Sequence, residues 1–174
     1  MKAEILARAI RHAMIWHARF STKPGKAFRG GHDEERTWTP YGIHPIWAAM
    51  TILHERDLPR NVREDGAMAL FYHDVLEDTT RGLPRDLPKR VRDLVEAMTF
   101  ESFDQEMELL WQRTPVIRLL KLYDKTSNWM DGGWMYPERR VLHRAHLTKI
   151  VEDVEQNFGP LNVVRIARAL LEGP

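Results

Sequence analysis

The sequence predicts an all-α fold in a single domain, and three observations predict it. Apolar residues recur at helical spacing along most of the chain. Proline and glycine clusters cut it into helix-length pieces. No segment alternates apolar and polar residues with the period of a strand. The 174 residues suit one domain, and 43% hydrophobic residues can fill its core. No repeat, linker or shift of composition divides residues 1–174.

The elements follow in order. A first helix is expected over Ala3 to Phe20, where Ile5, Leu6, Ala9, Ile10, Ala13 and Met14 fall on one stripe. Ser21 to Pro40 breaks that stripe with Pro24, Gly25, Gly30, Gly31 and Pro40. A loop of about 20 residues is uncommon in a compact domain and often serves a site. Its composition suits a mobile lid and an ordered loop equally. Pro45 to Glu55 reads as the second helix, with Pro45 favourable in its first turn. Val62 to Glu77 reads as the third, and Thr79 to Pro88 as a turn region with Gly82, Pro84 and Pro88. Lys89 to Met98 aligns Val91, Leu94 and Val95, and Ser102 to Arg113 is a further helical segment. Pro115 to Trp129 is strongly amphipathic through Val116, Leu119, Leu120 and Tyr123. Asp131-Gly132-Gly133 interrupts it, and Pro137 to Phe158 and Leu161 to Leu171 complete the bundle.

Composition removes several function classes. Net charge is +1 with acids and bases interspersed, so no basic tract points to nucleic acid. There is no cysteine, which excludes disulfides and thiolate metal sites. No apolar run reaches the roughly 18 residues of a membrane span. The start, with Lys2, Arg8, Arg11 and His12, does not read as a signal peptide. A soluble cytoplasmic protein is expected. Nothing in the sequence specifies an oligomeric state.

The run His73-Asp74-Val75-Leu76-Glu77-Asp78-Thr79-Thr80 carries the chemistry. On a helix, Asp74, Glu77 and Asp78 share one face. Three carboxylates on one face repel unless a cation sits among them. The apolar residues Ala67 to Phe71 place that face near the core, where an acidic cluster needs pairing or coordination. One histidine and one aspartate do not fill a coordination shell. His44 at the mouth of the second helix, and Asp124 one turn after Leu120, are the further candidates. The plain structural reading of these four is core and capping residues. For Glu77 and Asp78 it is a solvated helix end. His12, His17, His54, His143 and His146 are given no role. Trp47, Trp111, Trp129 and Trp134 are read as packing residues, with Trp129 or Trp134 the candidates for stacking on a base.

The order His44, His73-Asp74, Asp124 resembles the H…HD…D pattern of the HD-domain phosphohydrolases. Three longer blocks narrow it. Tyr41-Gly42-Ile43-His44-Pro45 resembles the PYxxHP segment of the RelA/SpoT-type alarmone hydrolases. His73 to Thr79 resembles their HDxxEDT, and Lys121 to Asn128 their KLxDxxxN. A bare His-Asp pair is common by chance, whereas three blocks in order are specific. They span residues 40 to 128, about half the chain.

The resemblance is to the stand-alone small alarmone hydrolases, of the metazoan SpoT-homologue kind. It implies an HD-type helical bundle that takes a small nucleotide and hydrolyses the 3′-pyrophosphate of (p)ppGpp to GDP or GTP and pyrophosphate. It implies one Mn²⁺ held by His44, His73, Asp74 and Asp124, although a mixed N/O donor set does not exclude Fe²⁺, Zn²⁺ or Co²⁺. Glu77 and Asp78 would position or deprotonate the attacking water, and Asn128 would contact substrate. Two departures bear on the substrate. The family has a basic residue just past the asparagine, where this chain runs Asn128-Trp129-Met130-Asp131. At the family's HxGQxRxxGxPY segment, His17-Ala18-Arg19-Phe20 matches only the histidine, and the loop to Tyr41 is longer. Lys23, Lys26, Arg29 and Arg36 could supply the missing charge from the long loop, with Lys26 and Arg29 the chosen substrate-binding candidates. Alternatives are an HD phosphohydrolase of another nucleotide, 5′-nucleotidase-like or acting on an adenosine alarmone, and a non-catalytic alarmone-binding or antitoxin-like module.

Overall fold

The computed structural model describes residues 1–22, 27–29 and 39–173. The chain opens on α1 (Ala3–Phe20), with the boundaries its apolar stripe predicts. A two-residue antiparallel hairpin follows, β1 (Phe28–Arg29) with β2 (Thr39–Pro40), pairing Phe28 with Pro40 and Arg29 with Thr39. The sequence reading expected no strand. A pairing of two residues is too short to leave a period-2 signal. Lys26 lies outside the described residues, as do Lys23 and Arg36.

Next come α2 (Ile43–Leu53), α3 (Arg60–Tyr72), α4 (Val75–Asp78), α5 (Lys89–Met98) and α6 (Phe103–Leu109). The last three are α7 (Pro115–Met130), α8 (Pro137–Phe158) and α9 (Asn162–Glu172). Ser102 caps α6 by accepting the Gln105 N–H at 3.1 Å. Short 3₁₀ turns extend α6 over Leu110–Gln112 and follow α7 over Gly132–Trp134. Gly159 ends α8 at φ 81°, a conformation that costs glycine nothing.

One expected helix is in fact two. The reading took Val62 to Glu77 as continuous, but α3 stops at Tyr72 and α4 starts at Val75. The Leu70 carbonyl, which a continued helix would turn toward the Asp74 N–H, accepts from the His73 ring at 2.7 Å. Successive side chains on a helix diverge by about 100°. At this turn the two neighbouring side chains nonetheless meet, His73 Nε2 lying 3.1 Å from Asp74 Oδ2.

Helix α7 is the axis of the molecule. It packs against α2, α3, α5, α8 and α9, and every residue from Leu119 to Trp129 is buried. The expected amphipathic helix therefore has no solvated face along that stretch, and its polar stripe is interior. Ile52 of α2, Leu70 and Phe71 of α3, Leu119 and Leu122 of α7, and Ile150 of α8 are fully buried around it. Each such side chain contributes roughly 1.5–3 kcal/mol. At Gly66 a Cβ would meet Ile52 Cδ1 at 2.8 Å and Leu120 Cδ2 at 3.0 Å. That missing side chain lets α3 lie against α2 and α7, the three helices that bring the site together. Among the described residues, no helix is long and apolar enough to cross a membrane.

Candidate metal centre

His44 comes from the first turn of α2, His73 from the end of α3, Asp74 from the turn after it and Asp124 from the middle of α7. All four are buried. His44 Nε2 and His73 Nε2 face each other at 3.1 Å. Asp74 Oδ2 lies 3.4 Å from the first and 3.1 Å from the second. Asp124 Oδ1 lies 3.3 Å and 3.7 Å from the same two nitrogens. His44, His73 and Asp124 each offer a ligand atom within 4.8 Å of the others. Asp74 adjoins both imidazoles and also accepts the Tyr41 hydroxyl at 2.8 Å.

The far side of each ring is held by the protein. His73 Nδ1 meets the Leu70 carbonyl, which can only accept, so Nδ1 carries a proton and Nε2 of the neutral ring presents a lone pair. His44 Nδ1 is engaged by Ser127 Oγ at 2.8 Å, which orients that ring in the same sense. Two imidazole Nε2 atoms and two carboxylates then converge on one place. This donor set fits a divalent cation of borderline hardness.

Charge tells the same story. Burial pulls the His73 imidazole down, but Asp74 and Asp124 outweigh it and lift the pKa to about 10. Burial and Arg29 lower that of His44. The centre thus draws positive charge onto one ring, the role a bound cation would take over. Burial works against Asp124, yet Lys121 and Lys125 hold its carboxyl well below the usual range. Their Nζ atoms lie 3.0 Å and 3.2 Å from Oδ2.

Glu77 keeps a solvent-exposed surface, but the protein packed around its carboxyl is the main cause of a pKa raised to about 7. Lys121 lowers it, and Asp74 and Asp124 raise it further. Its Oε1 also accepts the Phe100 N–H at 3.0 Å. Asp78 is buried at the end of α4, near enough to Tyr41 for its charge to help raise that hydroxyl. The two carboxylates therefore differ: Glu77 stands within electrostatic reach of Asp74 and Asp124, while the charge of Asp78 acts on Tyr41.

Asn128 donates to Asp124 Oδ1 at 2.6 Å and accepts from Arg29 Nη2 at 2.7 Å. The Arg29 guanidinium lies over the Tyr41 ring at 4.6 Å. A guanidinium thus stands beside Asn128, delivered by the hairpin rather than by the residues after Asn128. A cavity of about 160 Å³ opens next to His44, walled by Pro40, Ile43, Trp47 and Met130, with Arg29 and Asp131 at its polar edge. Trp129 donates to the Leu170 carbonyl and packs, as expected. Trp134 stands 5.8 Å from the Arg29 guanidinium.

Sequence reasoning missed Tyr41 and Ser127 as supports of the candidate ligands, and Glu106, Lys121, Lys125 and His146 behind Asp124. The spacing of Lys121, Asp124, Lys125 and Asn128 places them on one side of α7, which was a usable signal. Nothing local marks Glu106 or His146.

No family model matches the chain. No curated protein matches it either. A solved structure does, described as a metazoan ortholog of SpoT that hydrolyzes ppGpp and plays a role in starvation responses. The similarity has a TM-score of 0.66 at 22% sequence identity, over 98% of this chain and 94% of that one. At that identity the likeness shows one thing plainly: the two chains share an all-helical fold over nearly their whole length.

Proposed function

We propose that the protein is a metal-dependent hydrolase that removes the 3′-pyrophosphate of (p)ppGpp, leaving GDP or GTP and pyrophosphate. One observation carries the reading: two imidazole Nε2 atoms and two buried carboxylates converge, with both Nδ1 atoms tied back. The shared fold supports the substrate class, since the similar structure is described as a ppGpp hydrolase. A cytoplasmic enzyme answering starvation is the setting that this reading implies.

His44, His73, Asp74 and Asp124 would hold the cation, which we take to be Mn²⁺. Bound there, it would polarise a phosphoryl oxygen and raise the acidity of an adjacent water. Glu77, with its pKa of about 7, is poised to take the proton of the attacking water. The water oxygen bonds to the phosphorus next to the 3′ oxygen, the P–O3′ bond breaks, and the proton ends on the 3′ oxygen. Asp78 would help to position that water, and its charge also favours the protonated Tyr41 hydroxyl that Asp74 accepts. Arg29 and Asn128, hydrogen-bonded to each other, offer a guanidinium fork and an amide to phosphate oxygens. Lys26 is the second loop cation in this reading.

The test is product analysis of the purified protein with ppGpp and Mn²⁺, beside an EDTA control and an adenosine alarmone. GDP and pyrophosphate are expected, abolished by EDTA. Protein that binds Mn²⁺ yet leaves ppGpp intact would sink the proposal.

A further inference from the structure

Asp124 has two sides. Oδ1 faces the imidazoles, and Oδ2 takes Lys121 at 3.0 Å and Lys125 at 3.2 Å. Two ammonium groups on a metal-ligating carboxylate are a handicap, because they draw off its charge and repel an incoming cation. Glu106 answers both. Its Oε2 lies 2.8 Å from Lys121 Nζ and 2.8 Å from Lys125 Nζ, closer to each lysine than Asp124 is. Its Oε1 meets His146 Nε2 at 3.1 Å. Glu106, Lys121, Lys125 and His146 are all buried. Glu106 comes from α6, which supplies no residue to the centre itself.

Stability alone is a poor reason for such a cluster. Buried ion pairs frequently stabilise less than apolar residues of the same volume. Resting on the metal-centre reading above, we propose that Glu106 is a positioning residue for the metal. It holds the two lysines and offsets one of their charges, so that Asp124 keeps the charge a divalent cation needs. It touches neither metal nor substrate. With Glu106 ionised, the group behind Asp124 carries a net single positive charge; without it, two.

The test is calorimetric titration with Mn²⁺ alone, so the readout is affinity rather than turnover. Glu106→Gln keeps the shape and an acceptor oxygen for the lysines while removing the charge. It is expected to weaken Mn²⁺ binding by about ten- to a hundredfold, the usual scale for groups that support metal ligands. The double variant Glu106→Gln/Lys125→Gln restores the charge count and is expected to recover affinity. A purely structural role for Glu106 would make the double variant worse. A folded Glu106→Gln that binds Mn²⁺ like the wild type overturns the proposal, as does a double variant no better than the single. Should Glu106→Gln not fold, Lys125→Gln alone carries the test: tighter binding than wild type supports the proposal, and equal or weaker binding overturns it. Wild-type protein that takes up no Mn²⁺ overturns the metal-centre reading and this one with it, whereas tight wild-type binding with indifferent variants overturns this one alone.

Discussion

Tyr123 and Asp124 are neighbours on α7, yet they serve two buried carboxylate sites built on opposite principles. Tyr123 donates to Glu55 Oε1 at 3.0 Å. The same carboxylate accepts the Val163 N–H at 2.9 Å on Oε1 and the Asn162 N–H at 3.0 Å on Oε2. Every partner of Glu55 donates, and two are the open N–H groups at the start of α9, where a negative charge is favoured. That site is complete as it stands. Around Asp124 the company is mixed: Lys121, Lys125 and Asn128 donate to it, while two imidazole Nε2 atoms, 3.1 Å apart, and the Asp74 carboxylate crowd its other side. The difference separates a buried carboxylate whose partners only donate from a candidate ligand. Burial is common to both, and the company of two imidazoles and a second carboxylate marks the candidate.

Removing a ligand should break the comparison most strongly. His73→Ala and Asp74→Ala are expected to reduce ppGpp hydrolysis to the level of the EDTA control. The fold should survive each change with some loss of stability, because Asp74 also accepts the Tyr41 hydroxyl and pairs with His73, whose ring meets the Leu70 carbonyl. Thermal melts beside activity assays check this. Retained hydrolysis in either folded variant would remove the metal from the reaction.

Glu55→Ala should do the reverse. It strips donors of a charged partner, each such bond being worth about 1.5–3 kcal/mol. A loss of about 3 kcal/mol is expected, or roughly 10 °C in Tm for a chain of this length. Mn²⁺ affinity per folded molecule should not change. A weakened Mn²⁺ affinity would mean that the two sites on α7 are coupled.

Glu77 lies between the two kinds, a carboxyl with one backbone donor and carboxylate neighbours. It must be ionised to accept a proton, so activity should rise with pH along its titration. In the metal-free protein that titration centres at about 7. A cation among Asp74 and Asp124 removes two of the charges that raise it, so the limb should move lower when metal is bound. Glu77→Gln should lose the limb and about a hundredfold in kcat. The stability sign is opposite. A carboxyl held above its ordinary 4.5 contributes fully below that pH, and the contribution is lost as pH rises through about 7. Metal-free protein should therefore melt lower on the alkaline side of that range, and Glu77→Gln should flatten the trend.

The fold was legible because helices announce themselves locally. Ala3–Phe20, Lys89–Met98 and Pro137–Phe158 carry their own stripes and stops, and the structure keeps those boundaries. The four ligand candidates were legible because the HD, Tyr-Gly-Ile-His-Pro and Lys-Leu-Tyr-Asp blocks are short and contiguous. What sequence could not give was pairing across distance. Glu55 meets residues more than a hundred positions away, and Glu106 meets His146 across 40. The amphipathic pattern of α7 did not show that its polar side lies inside, because nothing in one helix says that five others will cover it. The break at Tyr72 was hidden because His73 and Asp74 keep right-handed helical backbone angles, so only the redirected Leu70 carbonyl marks it.

The smallest expected effect concerns Arg29, a fixed cation that the described residues place at the mouth of the centre. It reaches Asn128 at 2.7 Å, lies on the Tyr41 ring and stands 4.0 Å from Asp131 Oδ2. Its charge needs no loading, unlike that of the metal, so its work should appear in binding rather than in chemistry. Arg29→Ala removes about one charge-assisted hydrogen bond to a phosphate, roughly tenfold in KM with kcat little changed. Arg29→Lys should not rescue it, because a point charge cannot both reach the Asn128 amide and stack on Tyr41. Steady-state kinetics on ppGpp separate the cases. A drop in kcat with KM unchanged would move Arg29 from holding the substrate to stabilising the transition state. Both constants unchanged would place the substrate elsewhere and leave the guanidinium as a structural brace between the hairpin and α7.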